Sequence, residues 1–195
     1  MSKTALLTSY AKDEPLLRLA KILVKNGWNI LGSAGTTSYL KENGIACKDV
    51  ADIVGPPILG HRVVTLSREI YAGLLASTKE DFAELERLHT SNIDLVYVNL
   101  YPLEKETRNP QATPESVLEK TDIGGPTLLR AAAKGRRLAL SNPQQIAELE
   151  SWFANGAPET EREKLAIRFA AEAERRVAEY VSVSAKYWAK KLPEI

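Results

Sequence analysis

The chain predicts an α/β fold with a doubly wound, mainly parallel sheet flanked by helices. Three observations carry this. Strand-like apolar runs alternate with amphipathic helical stretches from one end to the other. Residues 4–9 and 93–102 are almost continuously apolar or β-branched, as strands covered on both faces must be. Turns rich in glycine, proline and asparagine separate the runs, and no internal repeat or low-complexity tract interrupts them.

Taken in order, residues 4–9 (TALLTS) suit a central strand. Asp13-Glu14-Pro15 opens a helix: Asp13 is placed to cap it, Pro15 fits the first turn, and acidic side chains favour the positive end. Leu16, Leu19, Ala20, Leu23 and Val24 recur at helical spacing until Asn26-Gly27 stops them. Residues 28–31 give a second strand. It leads into Gly32-Ser33-Ala34-Gly35-Thr36-Thr37 and a short helix running from Ser38 to about Asn43-Gly44. A strand, a small-residue loop and a helix let backbone N–H groups converge on an anion. The same loop also reads as an ordinary βα turn, and it matches neither the dinucleotide fingerprint nor the P-loop.

Residues 48–54 read as a third, shorter strand, followed by a stiff Gly55-Pro56-Pro57 loop. In His61-Arg62-Val63-Val64-Thr65-Leu66, Arg62 is the natural anion partner because a guanidinium grips phosphate bidentately. Residues 78–89 form a helix with Phe82, Leu85 and Leu88 on one face and a Thr78/Asp81 capping pair. The strand over 93–102 delivers Asn99 and Tyr101 to its carboxyl edge, where parallel sheets bind ligands. Residues 104–114, polar and proline-bearing, read as an exposed excursion over that edge. Thr121-Asp122-Ile123-Gly124-Gly125-Pro126-Thr127 then feeds a helix carrying Arg130 and Lys134. Residues 136–140 give another strand, and Asn142-Pro143 caps a helix to about Phe153. Thr160 and Glu163 are expected to form a capping box for a long C-terminal helix to about Trp188, whose Leu165, Phe169, Val177, Val181 and Trp188 read as packing. The expected division is a domain over residues 1–158 with a helical extension, 159–195, packed on it.

Composition narrows the function. The 26 basic and 25 acidic residues nearly cancel, which removes any global attraction to nucleic acid or anionic membrane. A single cysteine, Cys47, excludes an internal disulfide, and His61 and His89 lack metal-ligand spacing, so no metal site is expected. No apolar run is long enough to span a bilayer, and the amino terminus lacks the form of a signal peptide, so a reducing cytoplasm is the expected setting.

The motifs Asn99-Leu100-Tyr101-Pro102 and Thr121 to Gly135 (TDIGGPTLLRAAAKG) resemble the inosine monophosphate cyclohydrolase domain. That domain is the amino-terminal half of a bifunctional purine-biosynthesis enzyme whose other half is a formyltransferase. The likeness covers nearly the whole chain and implies a methylglyoxal-synthase-like fold. It also implies a homodimer, no cofactor, and ring closure of a formylated aminoimidazole carboxamide ribotide to inosine monophosphate. The chain stops where the family's second domain begins, which implies a stand-alone cyclohydrolase unit, with formyl transfer left to a separate formyltransferase protein. Carried over by position, Lys134, Asp122, Tyr101 and Asn99 take the catalytic roles. Lys12, Ser33, Gly35, Thr37, Arg62, Thr65, Gly124, Gly125 and Thr127 take the substrate and phosphate.

Each role has a plainer rival: Asp122 as a helix cap, Tyr101 as a rim residue, Lys134 as an end-of-helix cation. Four departures stand beside the matches. Asp13-Glu14 replaces a Thr-Gly, Ala34 and Thr36 replace a threonine and a glycine, Val64 stands where the family has a catalytic lysine, and Ser67-Arg68 stands where it has His-Pro. Two further readings therefore accompany the cyclohydrolase. One is a related cyclase or lyase acting on another phosphorylated imidazole or nucleotide; the other is a non-catalytic module that binds a phosphorylated metabolite.

Overall fold

The computed structural model describes residues 3–60 and 62–192; His61 lies outside the described residues. Five strands form one sheet in the order β3-β2-β1-β4-β5: β1 (Thr4–Ser9), β2 (Asn29–Gly32), β3 (Lys48–Asp49), β4 (Leu95–Asn99) and β5 (Leu138–Leu140). Every pairing among them is parallel. The central β1 runs in register with β4 from Ala5↔Leu95 to Ser9↔Asn99, and with β2 from Thr4↔Asn29 to Leu7↔Gly32. The strand order therefore reverses between β1 and β4, the point at which a doubly wound sheet opens a crevice beyond its carboxyl ends.

Alternation along the strands divides the core in two. Ala5, Leu7, Leu95, Tyr97, Leu138 and Leu140 face one side. There they meet α1 (Glu14–Lys25), the end of α2 (Ala34–Glu42) and α9 (Gln145–Ala154). Leu6, Val96, Val98 and Ala139 face the other, against α4 (Arg68–Leu75) and α8 (Gly124–Lys134). The long helix α10 (Glu159–Lys191) belongs to both sides: Leu165, Ala166 and Phe169 enter the first cluster, and Ala173, Val177 and Tyr180 enter the second. Its apolar stripe carries the chain from one face to the other past β5, so the helix joins both cores.

The structure corrects the sequence reading at several points. Residues 48–54 are not one strand: β3 ends at Asp49, and α3 (Ala51–Val54) follows at once. The Asp49 carboxylate accepts the Ala51 N–H at 2.9 Å, a turn-forming bond that competes with further ladder pairing. The helix after β2 starts at Ala34, with Gly35 in its first turn and Ser33 as the extended cap residue. The excursion over 104–114 contains α6 (Leu103–Thr107), then a short loop leading to α7 (Pro114–Glu119), because Thr113 and Ser116 cap each other reciprocally. The same device opens α5 (Lys79–Arg87), where Thr78 and Asp81 form the expected capping box. The Thr160/Glu163 box is absent: Pro158 is the extended residue before α10, and Thr160 is already inside the helix.

One close approach fixes α8 against α4. A methyl group added at Gly135 would overlap the backbone carbonyl oxygen of Leu74, and backbone cannot swing aside as a side-chain tip can. Gly135→Ala is expected to lower the stability by about 1–3 kcal/mol, read from urea-unfolding midpoints. A midpoint equal to that of the parent would show that the two helix ends separate freely.

Candidate functional site at the strand-order reversal

Four loops meet where the strand order reverses. The first follows β1. Asn99, ending β4, accepts the Ala11 N–H on its side-chain oxygen at 3.2 Å and the Tyr10 N–H on its carbonyl at 3.0 Å. Asn99 thus holds the β1 loop onto the end of β4. Lys12 folds back over that loop, its ammonium donating to the carbonyls of Ser9 and Tyr10. Burial lowers its pKa, against the opposing pull of Asp13. Asp13 caps α1, accepting the Leu16 N–H at 3.2 Å. The carboxylate that departs from the family pattern is therefore engaged as a helix cap, while it stays close enough to act on the Lys12 charge.

The second loop is the start of α2. A methyl at Gly35 would lie 3.5 Å from Lys12 Cε and 3.8 Å from Nζ, so this glycine forms the wall on which the lysine rests. Ser33 donates to the Thr36 hydroxyl at 3.2 Å, and that oxygen also accepts the buried Ser9 N–H at 3.1 Å. Lys12, Ser33 and the first turn of a nine-residue helix thus lie together, a donor-rich corner suited to an oxyanion. Thr37 is not part of its surface. It is buried, with its hydroxyl 3.6 Å from the Cys47 sulfur beneath Gly32. Burial pushes the Cys47 thiol upward.

The third and fourth loops bring Tyr101 to Asp122. Tyr101 leans on Tyr10 with ring centroids 4.9 Å apart. Partial burial, then the nearby Asp122 carboxylate, raises its pKa, so the phenol keeps its proton. Asp122 sits at the head of α8 and accepts the Gly125 N–H at 3.0 Å. Burial raises its carboxyl pKa, with the amides of Gly125 and Gly124 pulling the other way. Both glycines are enforced. A Cβ at Gly124 would stand 2.9 Å from Thr65 Oγ1, and one at Gly125 would meet Leu100 Cδ2 at 2.7 Å and collide with Asp122. Thr65 is buried at this contact, whereas the Thr127 hydroxyl bonds back to the carbonyls of Ile123 and Gly124 within the helix. A cleft of about 500 Å³ opens beside Tyr10 and Pro102, with Lys105, Arg108 and Lys120 in its lining. A smaller hollow of about 200 Å³ lies near Pro15 and Pro143 and touches none of these residues.

Lys134 is not brought to this group. It occupies the last turn of α8, whose eleven residues put it about 15 Å along the axis from Gly124, at the opposite edge of the sheet. There it lies at the carboxyl end of the helix, where a cation is favoured. Arg62 is exposed and donates to the Leu59 carbonyl at 2.9 Å, and Arg68 pairs with its neighbour Glu69 at the surface. Val64 is partly buried and packs, like Ile53 and Val54, against the second core cluster. The sequence reading missed Tyr180, whose hydroxyl accepts the Asp122 N–H at 2.8 Å and donates to the Lys120 carbonyl at 3.1 Å. Its only signal was a tyrosine within an otherwise apolar helical stripe, since a buried phenol needs a polar partner.

A raised carboxyl pKa in the folded state means that the native protein holds the Asp122 proton more tightly than the unfolded chain does. The resulting stability is present below the ordinary carboxylate range and is lost as pH rises through the folded-state value. Asp122→Asn, which keeps an acceptor for Gly125, is therefore expected to gain stability relative to the parent as pH climbs from about 4 toward neutrality. Paired urea melts between pH 3 and 8 test this, and a stability difference independent of pH would contradict it.

Residues 15–127 match the MGS-like domain. The bifunctional purine biosynthesis protein PurH of Prochlorococcus marinus is 41% identical over 175 residues, covering 86% of this chain and 33% of that protein. The protein of the same name from Halalkalibacterium halodurans is 37% identical over 193 residues, covering 95% of this chain and 37% of its own length. The chain thus spans about a third of the length of these curated relatives. A crystal structure described as ForH superposes with a TM-score of 0.82 at 30% identity, over 96% of this chain and 100% of that one. With the family match extending over more than half of its length, the chain belongs to the MGS-like domain family.

Proposed function

We propose that the chain is an inosine monophosphate cyclohydrolase-type enzyme. It would close the second purine ring of 5-formamidoimidazole-4-carboxamide ribotide with loss of water. The observation that carries this reading is the meeting, at the strand-order reversal, of an oxyanion corner (Lys12, Ser33, Gly35) with the Tyr101–Asp122 pair. The first takes the 5′-phosphate and the second faces the reacting end. PurH relatives over most of the chain support the same assignment.

In the reaction the carboxamide nitrogen bonds to the formyl carbon, and the formyl oxygen leaves as water with one proton from each flanking nitrogen. An amide is a weak nucleophile, so the site must fold the substrate for attack and supply a proton to the departing oxygen. Tyr101 keeps its phenolic proton and orients the substrate oxygen by donating to it. Asp122, whose raised pKa keeps it closer to neutrality than a surface carboxylate, hands on a proton. The crowded Gly124-Gly125 turn fixes that carboxyl group. Lys134 takes no part within a single copy of the chain. A homodimer and a separate source of formylated substrate belong to the same proposal.

A second reading, a cyclase acting on another phosphorylated imidazole or nucleotide, is favoured by one observation. Val64 lies partly buried against apolar packing where the resembling family has its lysine. An ultraviolet assay for inosine monophosphate from the formylated ribotide separates the two, run with the parent chain and with Val64→Lys. Turnover by the parent is the expected result, and activity in neither protein would favour the other substrate. Asp122→Asn is expected to lower kcat by about 100-fold or more while KM changes only a few-fold, the scale of a lost general acid. An unchanged kcat would remove Asp122 from the chemistry.

A further inference from the structure

We infer that Tyr180 is a positioning residue for Asp122, so that the C-terminal helix α10 completes the candidate active site. This rests on the function proposed above and adds to it a residue outside the stretch that matches the MGS-like domain, which ends at residue 127. The geometry is a clasp. One buried hydroxyl, at the end of an α10 side chain, bridges the backbone on either side of Thr121: it donates to the Lys120 carbonyl and accepts the Asp122 N–H. The stretch leading into the clasp is already pinned to α7, through Lys120 N–H to the Ser116 carbonyl and the Thr121 hydroxyl to the Val117 carbonyl. Beyond it, Asp122 caps α8 through Gly125. The Asp122 amide is the joint between these two anchored pieces, and its acceptor comes from 58 residues away.

The clasp also fixes what Tyr180 cannot do. Its proton is committed to Lys120 O, and burial pushes its pKa up to about 12, so it is neither acid nor base near neutral pH. Its effect reaches the reaction through Asp122 alone. Loss of the hydroxyl leaves a part-buried amide N–H without its acceptor. The loop then rotates to find water, taking the Asp122 carboxyl off the line of the leaving oxygen. The ring of Tyr180 still packs with Val177 and Ala173, so Tyr180→Phe removes the clasp and keeps the core.

The test uses the full chain with Tyr180→Phe, and with Val177→Ala as a control that thins the same helix face without touching the hydroxyl. Amide hydrogen exchange at Asp122, followed by NMR, reads the clasp independently of activity. It is expected to quicken about tenfold in Tyr180→Phe relative to neighbouring α8 amides, the scale of one net hydrogen bond. In the ribotide assay kcat is expected to fall about tenfold with KM little changed, while Val177→Ala lowers the urea midpoint and keeps kcat. Unchanged exchange at Asp122 overturns the clasp. Faster exchange with an unchanged kcat, or an equal kcat loss in Val177→Ala, overturns the positioning role. A parent chain that does not turn over the ribotide overturns the proposed function instead, and the exchange data still decide the clasp.

Discussion

The pairing of β1 with β4 is the constraint from which the rest of the structure follows. Five residues of each strand run in parallel register, and the pairing carries the chain across the point where the strand order turns back on itself. To one side, β1, α1 and β2 wind outward; to the other, β4, α8 and β5 wind the opposite way on the opposite face. Right-handed crossovers leave no other arrangement for such a sheet. The loops after β1 and β4 are thereby forced to meet, and Asn99 locks them through Ala11 and Tyr10. Every other contributor to the site is positioned relative to this seam.

Asp122 shows how structure and chemistry compete at such a seam. Its carboxylate caps α8, which favours the charged form, yet it is buried between Gly125 and the end of β4, which favours the neutral one. Burial wins, and the folded protein carries a carboxyl group poised to exchange a proton at a cost in stability at neutral pH. The cap and the proposed catalytic role are therefore compatible: the bond to Gly125 fixes the geometry, and burial favours the protonated form. The same economy holds at Asp13, where a carboxylate that would repel a phosphate is turned into a helix cap.

The departures from the resembling family fall into two physical kinds. Ala34 and Thr36 lie in the first turn of α2, and the buried Thr36 hydroxyl ties that turn to Ser33 and to the Ser9 N–H, so the changes leave the helix start in place. Val64 is different in kind, because it is packed and apolar, and neither Arg62 nor Arg68 turns inward to replace a cation. In the proposed function the Tyr101 phenol and the Asp122 carboxyl would handle protons, and the partly desolvated Lys12 would hold the phosphate.

Much of this was written in local sequence. The alternation of apolar runs and helical faces gave the doubly wound sheet; Asp13, Thr78 and Asn142 announced helix starts through short-range bonds their side chains make wherever they occur. Asn99, Tyr101 and Asp122 were legible as a carboxyl-edge group because strand ends and glycine turns are local features. What the sequence did not determine depends on distances through space. Lys134 and Asp122 look like neighbours along the chain, but a helix holds them at opposite edges of the sheet. Thr37 looks like a phosphate ligand until the packing beneath Gly32 turns its hydroxyl to Cys47. Tyr180 looks like core until tertiary folding lays it across the Asp122 backbone. Local periodicity fixes which face a residue occupies; only the packed structure decides which groups share that face, because partners distant in sequence leave no mark on the local pattern.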